Sequence, residues 1–278
     1  MIAKLFKTAL ICTCVTVFFR LPSAQAENRF ITVASTTSTE SSGLFAWLLP
    51  KFTTQTKIEL QVVAVGTGAA LRHARKGDAD VLLVHHLASE NRFVSLGYGI
   101  QRFPLMWNDF VLVGPTADPA GVSGVKDITR ALAAIYATES LFVSRGDDSG
   151  THKKEMQLWK AANLDPQILS GSWYREIGAG MGAALNMAAA QGAYVISDRG
   201  TWLRYQNSAG LKILSSGDAR MVNPYGVILV NKKRHAHIKA DLGQTFIDWL
   251  LSTEGQAAIG DYRIGGQVLF HPGVPPGS

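Results

Sequence analysis

The chain has 278 residues, 47% of them hydrophobic, a formal net charge of +6 and two cysteines. That length and apolar content suffice for one large core or two lobes. Basic residues are scattered, and the one compact run, Lys232-Lys233-Arg234, reads as a solvated helix start or a partner-facing patch rather than a nucleic-acid footprint.

At the N-terminus, Lys4 and Lys7 precede an apolar run from Ala9 to Phe19 and then Leu21-Pro22-Ser23-Ala24-Gln25-Ala26. This order predicts a signal peptide over residues 1–26, cleaved after Ala26. The apolar run is about half the length of a membrane-spanning helix. Cys12 and Cys14 both fall inside it, so the exported chain is expected to carry no thiol, disulfide, Cys–zinc site or Cys nucleophile. Ile11 before Cys12 argues against a lipoprotein, leaving soluble export as the expectation.

From Phe30 onward one pattern recurs: a β-branched apolar run, a Ser/Thr/Gly turn, then an amphipathic segment. "FITVAS" leads through "TTSTESSG" to "LFAWLLPKF", and "IELQVVAV" leads through "GTG" to "AALRHARKG" and the strand-like "ADVLLVH". "SLFVSR" then leads through "GDDSGT" to "HKKEMQLWKAAN", and "GSWYREIGAGMG" leads to "AALNMAAAQG", "AYVIS" and "DRGTW". Such alternation predicts an α/β fold with largely parallel sheets. Two longer runs, "NDFVLVGP" and "NPYGVILVN", bracket the third and fourth units. They suggest two crossings, near Gly114 and Pro224, between a discontinuous lobe 1 (27–114 plus 224–278) and lobe 2 (115–223), closing on a ligand as a clamp. The tail "HPGVPPGS" reads as a terminal extension.

Four turns follow strands and open helices: Ser35–Ser38, Gly66–Gly68, Ser144–Thr151 and Gly178–Gly180. Helix starts present unpaired N–H groups and partial positive charge, hydroxyls add donors, and in open α/β sheets such turns gather where ligands bind. Ser35 to Thr39 is a run of hydroxyls beyond what one cap needs. With Arg145 as the formal cation, the set suits a compact, doubly charged oxyanion. Ser149 suggests a hydrolase nucleophile less well. His152 lies three positions on, at a helix start where the two side chains diverge, and Arg145 binds anions rather than activating hydroxyls. His85-His86 with Glu90 lacks an evident third metal ligand, since adjacent strand residues face opposite ways. His235 and His237 read as solvated, and Tyr194 and Tyr225 as packing.

Taken together, "STTSTESSGL", "VAVGTGAAL", "GDADVLLVH", "NDFVLVGP", "FVSRGDDSGTHKKE", "WYREIGAGMGAALNMA", "AYVISDRGTW" and "NPYGVILVN" resemble the TupA family of tungstate-binding proteins. The resemblance spans nearly all of the chain after residue 26. It implies a two-lobed type II periplasmic binding protein, monomeric and without cofactor, that captures tungstate and delivers it to an ABC transporter permease with its ATPase. Carried over by position, it places Thr36, Thr37 and Ser38, then Thr67 and Gly68, then Arg145, Ser149, Gly150 and Thr151 at the ligand. The third turn also resembles the Arg-x-Asp-x-Ser-Gly-Thr loop of phosphate-binding proteins, whose Asp accepts the proton of hydrogen phosphate. Tungstate carries no proton at neutral pH, so Asp147 or Asp148 is expected to hold Arg145 or cap the next helix instead. Molybdate, and after it phosphate or sulfate, are the alternative ligands, and a secreted serine hydrolase is the alternative of another class.

Overall fold

The computed structural model describes residues 29–275 except Ala209; the expected signal peptide lies outside the described residues. β1 (Phe30–Thr36) runs into α1 (Thr37–Ser41) through Thr36, whose side chain caps the helix, and α2 (Leu44–Thr56) follows. β2 (Glu59–Val65), α3 (Thr67–Lys76) and β3 (Val81–Val84) complete two strand–helix–strand units, with Gly77 closing α3 in the left-handed region that favours glycine. α4 (Leu87–Ser95) leads to β4 (Gly99–Pro115), the longest strand.

Next come α5 (Ile128–Ala137), β5 (Phe142–Ser144), α6 (Gly150–Ala161), β6 (Tyr174–Glu176) and α7 (Met181–Gln191). β7 (Val195–Asp198), α8 (Arg199–Arg204) and β8 (Leu211–Ser215) follow, and then a 3-10 turn at Ala219–Met221. β9 (Val222–Val230), α9 (Ala240–Leu251) and α10 (Thr253–Gly260) lead to three short strands, β10 (Arg263–Ile264), β11 (Gln267–Val268) and β12 (His271–Pro272).

The expected α/β character is present, but the sheets are mixed rather than largely parallel. β1 pairs in parallel with β2 and β3, while β9 runs antiparallel to both β3 and β4. The reason lies in β4 and β9, long strands that enter each lobe from the other and so run against its parallel units. β4 pairs with β9 through Asp109 and switches at Phe110 to β7 and β8. The change of partners thus falls between Asp109, opposite Val222, and Phe110, opposite Asp198. Gly114, the expected crossing point, already pairs with Lys212 of β8. The tail is more than an extension: His271 and Pro272 pair with Trp107 and Met106 as an edge strand, the place where proline's missing N–H does least harm.

The packing divides where the pairing does. One core joins Ile31, Val33, Phe52, Met106, Val227 and Phe246, and a second, through Ala34, Leu71, Leu82, Phe93 and Ile228, covers the other face of the same strands. Beyond the crossing, Phe110 and Leu112 join Trp159, Tyr174 and Tyr194, while the alternate residues Val111 and Val113 join Met181, Leu185 and Val195. Side-chain alternation along β4 thus builds a core on each face of each lobe. No helix among the described residues is long and apolar enough to cross a membrane.

Candidate functional site

The starts of α1, α3 and α6 converge where the lobes meet. On α1, much of the hydroxyl run is occupied within the chain. Ser35 Oγ donates to Leu83 O at 2.7 Å, and Thr36 Oγ1 lies 2.8 Å from Thr39 Oγ1 and accepts from Thr39 N. Ser38, buried, faces the other lobe, and Thr37 is half-buried. Of the hydroxyl run, Thr36 and Thr39 thus hold the turn and Ser35 ties it to β3, which leaves Thr37 and Ser38 toward the junction.

α3 begins after Gly66 with no side-chain cap, so Thr67 and Gly68 open it with first-turn N–H groups available. α6 begins differently: Ser149 Oγ accepts from His152 N at 3.2 Å, and Ser149 N donates to Asp147 Oδ1 at 3.2 Å. The two helix starts meet closely. A Cβ added to Gly150 would lie 2.6 Å from His85 Cε1 and 3.0 Å from Thr67 Oγ1, and one added to Gly68 would strike Asp148. Only glycine at 150 lets the lobes approach this far.

Arg145 directly follows β5 and is 2% exposed. Its Nε and Nη2 donate to Asp147 Oδ2 at 3.1 and 2.5 Å, while Nη1 reaches across to Ser38 Oγ at 3.4 Å. Asp147 thus holds the arginine with one oxygen and the α6 start with the other. Asp148 lies outside, exposed and paired with Lys153, at a positive φ of 56°. Gly146, φ 60°, makes the tight loop possible. The Gly178–Gly180 turn packs beside it, with Ala179 N donating to Arg145 O at 3.2 Å.

Several buried polar atoms at this junction have no partner among the described residues: Thr67 Oγ1, Thr151 Oγ1, His85 Nε2, Tyr225 Oη and Asp198 Oδ2. Thr67 and Thr151 are 0% and 1% exposed. Buried hydroxyls left unbonded cost stability unless something else satisfies them, which marks the junction as a place built for a guest.

Behind it runs a network that sequence reading missed. His85 Nδ1 lies 3.0 Å from Asn223 Oδ1, Asn223 Nδ2 donates to Asn108 Oδ1 at 2.7 Å, and the imidazole stacks on Tyr225 at 4.9 Å. Burial holds His85 down to about 4, so the ring is neutral with its proton on Nδ1. Burial raises Tyr225 and Asp198, the latter opposed by Thr201 and by the charge of Arg145. The available signal was Asn108 and Asn223, two amides at the starts of the apolar runs "NDFVLVGP" and "NPYGVILVN". His85 and Glu90 do not converge as metal ligands, for Glu90 accepts from His86 N and pairs with Arg102. A cavity of ≈ 530 Å³ opens beside His85, lined also by His86, Lys154, Gln157 and Pro224.

The hydrolase geometry is missing. Ser149 Oγ is engaged by a backbone N–H, and His152 Nδ1 accepts from Asp148 N at 3.2 Å instead of facing that serine.

Two lobes joined by crossing strands, with facing helix starts around a buried arginine, define a clamp for a small anion. In agreement, residues 21–254 match the family model described as a PBP superfamily domain, and the chain belongs to that superfamily. It is 47% identical over 246 residues to the tungstate-binding protein TupA of Peptoclostridium acidaminophilum, spanning 87% of this chain and 85% of that one. The solved tungstate-binding protein TupA of Desulfovibrio alaskensis G20 superposes with a TM-score of 0.78 at 44% identity, over 89% of this chain and 100% of that chain. A solved structure described as the tungstate ABC transporter from Geobacter sulfurreducens gives 0.77 at 43% identity, over 84% and 98%. The chain belongs to the TupA family.

Proposed function

We propose that this chain captures tungstate between its lobes and hands it to an ABC transporter permease with its ATPase. It would act as a soluble monomer in the periplasm after removal of residues 1–26. The observation that carries this reading is the set of unbonded buried donors, Thr67 Oγ1 and Thr151 Oγ1, around Arg145 at the contact between lobes. Lobe 1 would comprise 29–109 with 222–275, and lobe 2 residues 110–221.

In the mechanism, the open lobes expose the helix starts to solvent and the dianion loses its water to them. Thr36, Thr37 and Ser38 present the α1 turn, Thr67 and Gly68 the α3 start, and Ser149, Gly150 and Thr151 the α6 start. Arg145 supplies the full positive charge, with Asp147 fixing its plane. A hydrogen bond to a charged group contributes roughly 1.5–3 kcal/mol, so six to eight of them, less ordering costs, reach the roughly 12 kcal/mol of a nanomolar complex. Hydrogen phosphate needs an acceptor for its proton, and both Asp147 oxygens are already engaged, one by Arg145 and one by Ser149 N. That supports an unprotonated tetrahedral dianion as the ligand.

Calorimetric titration of the chain lacking residues 1–26 with tungstate, molybdate, phosphate and sulfate tests the reading. Tight tungstate binding at one site per chain is expected. Tight phosphate binding with none of tungstate would overturn it, and an equal preference for molybdate would widen the ligand to both ions.

A further inference from the structure

Asp198 ends β7 and caps α8, its Oδ1 accepting from Thr201 N at 2.8 Å. A cap needs one carboxylate oxygen. The second, Oδ2, is buried and has no partner among the described residues, and Asp198 as a whole is 0% exposed. Only the Thr201 hydroxyl, itself buried without a hydrogen-bond partner among the described residues, acts on this side of the carboxylate, and a buried oxygen so poorly satisfied is costly.

Its position gives that oxygen a role. The charge of Arg145 acts on Asp198, and Asp198 acts in turn on the Tyr225 hydroxyl. In the sheet Asp198 pairs with Phe110 of β4, whose ring lies 6.4 Å from that of His85, the residue that faces the α6 start. Asp198 therefore lies beside the compartment of Arg145, His85 and the α6 start. The other ionisable groups around it are accounted for. Glu40 on α1 is exposed, Asp109 on β4 is paired with Arg199, and Arg204 on α8 reaches Tyr262. Arg145 is paired with Asp147, His85 stacks on Tyr225, Lys154 on α6 donates to Arg220 O and Val222 O, and Glu155 on α6 accepts from Tyr174.

Because Arg145, the one full positive charge at the site, is already ion-paired with Asp147, an arriving dianion and an ionised Asp198 together outweigh it. Moving such a pair of like charges out of water is strongly unfavourable, whereas a protonated carboxyl both removes the repulsion and offers a donor. We propose that Asp198 takes up one proton from solvent when the lobes close on the dianion, its Oδ2 becoming a hydrogen-bond donor inside the compartment. The inference rests on the anion-capture reading above. By linkage, the affinity is highest at low pH and falls as pH rises through the interval between the titration of Asp198 in the free chain and in the complex. Within that interval the change approaches about tenfold in Kd per pH unit.

Calorimetry of tungstate binding in buffers of different ionisation enthalpy, over about pH 5–9, reads the proton number directly. The wild type is expected to take up a proton in part of that range. Asp198→Asn keeps the carbonyl acceptor for Thr201 N and a donor at the other position, so it is expected to bind with no uptake and no pH slope. Glu155→Gln is expected to retain the uptake. Tungstate binding without proton uptake in the wild type overturns the inference while leaving anion capture standing. So does uptake that persists in Asp198→Asn or disappears in Glu155→Gln. Absence of tungstate binding altogether brings down both.

Discussion

Arg145, with Thr151 beside it and Thr67 opposite, sets the energetics of capture residue by residue. Thr67→Val or Thr151→Val removes a buried hydroxyl that has no partner among the described residues. Each is expected to weaken tungstate binding by about ten- to a hundredfold while leaving the ligand-free melting temperature unchanged or slightly raised. Titration and thermal melts on the same samples separate the two effects. Asp147→Asn releases the paired Nε and Nη2 of Arg145, so tungstate affinity should drop about tenfold and the tungstate-to-phosphate ratio should shift. An unchanged ratio would remove any discriminating role from this acid. Much of this was legible: Arg145, Ser149 and Thr151 stand in one loop whose composition announces an anion. Asp198, Tyr225, His85, Asn108 and Asn223 were not, because they come from separate strands and share no spacing. His235, read as solvated, is half-buried and lies 2.9 Å from Arg75 O, while His237 is exposed as read and also lies 2.8 Å from Gly77 O. A side chain's partner 160 residues away leaves no trace in its neighbours along the chain.

Among the elements, the α3 and α6 starts face each other through a gap only glycine fits. Gly150→Ala brings a Cβ against the His85 ring and Thr67. Alanine favours the helix by up to about 1 kcal/mol over glycine, so the separate lobes should lose nothing. Closure is expected to be blocked instead, seen as weakened tungstate binding together with a radius of gyration that no longer contracts on adding the ion. The strand–turn–helix units were readable because period and punctuation are local. What stayed hidden was pairing: nothing within "NDFVLVGP" says that its first two residues pair with one lobe and the rest with the other. The same limit concealed β12, whose proline reads as loop until Met106 and Trp107 lie alongside.

Across the whole molecule, buried acids couple stability to pH. Burial pushes Glu155 up to about 7 from its ordinary 4.5, with Tyr174 and Trp159 donating to it. A carboxyl whose folded value is raised contributes fully below the unfolded value and loses that contribution as pH rises through the folded one. Wild-type stability from this group should therefore decline between about pH 4.5 and 7. Denaturant melts of Glu155→Gln at either end of that window are expected to lack this part of the decline. Ligand acts in the other direction: tungstate at a hundred times its Kd should add about 2.7 kcal/mol to the unfolding free energy.

The continuous β4 also has a consequence in time. The segment 110–221 is complete before β9 is made, and its two cores need nothing later in the chain. The first lobe must wait, because β9 supplies the strand between β3 and β4, and α9 supplies Phe246 and Trp249 to its core. Until β9 and α9 have emerged, β3 and β4 lack the strand that joins them. A nascent chain is thereby kept from closing its N-terminal lobe until the other lobe is already made, and the clamp forms only when the chain has returned from the second lobe to the first.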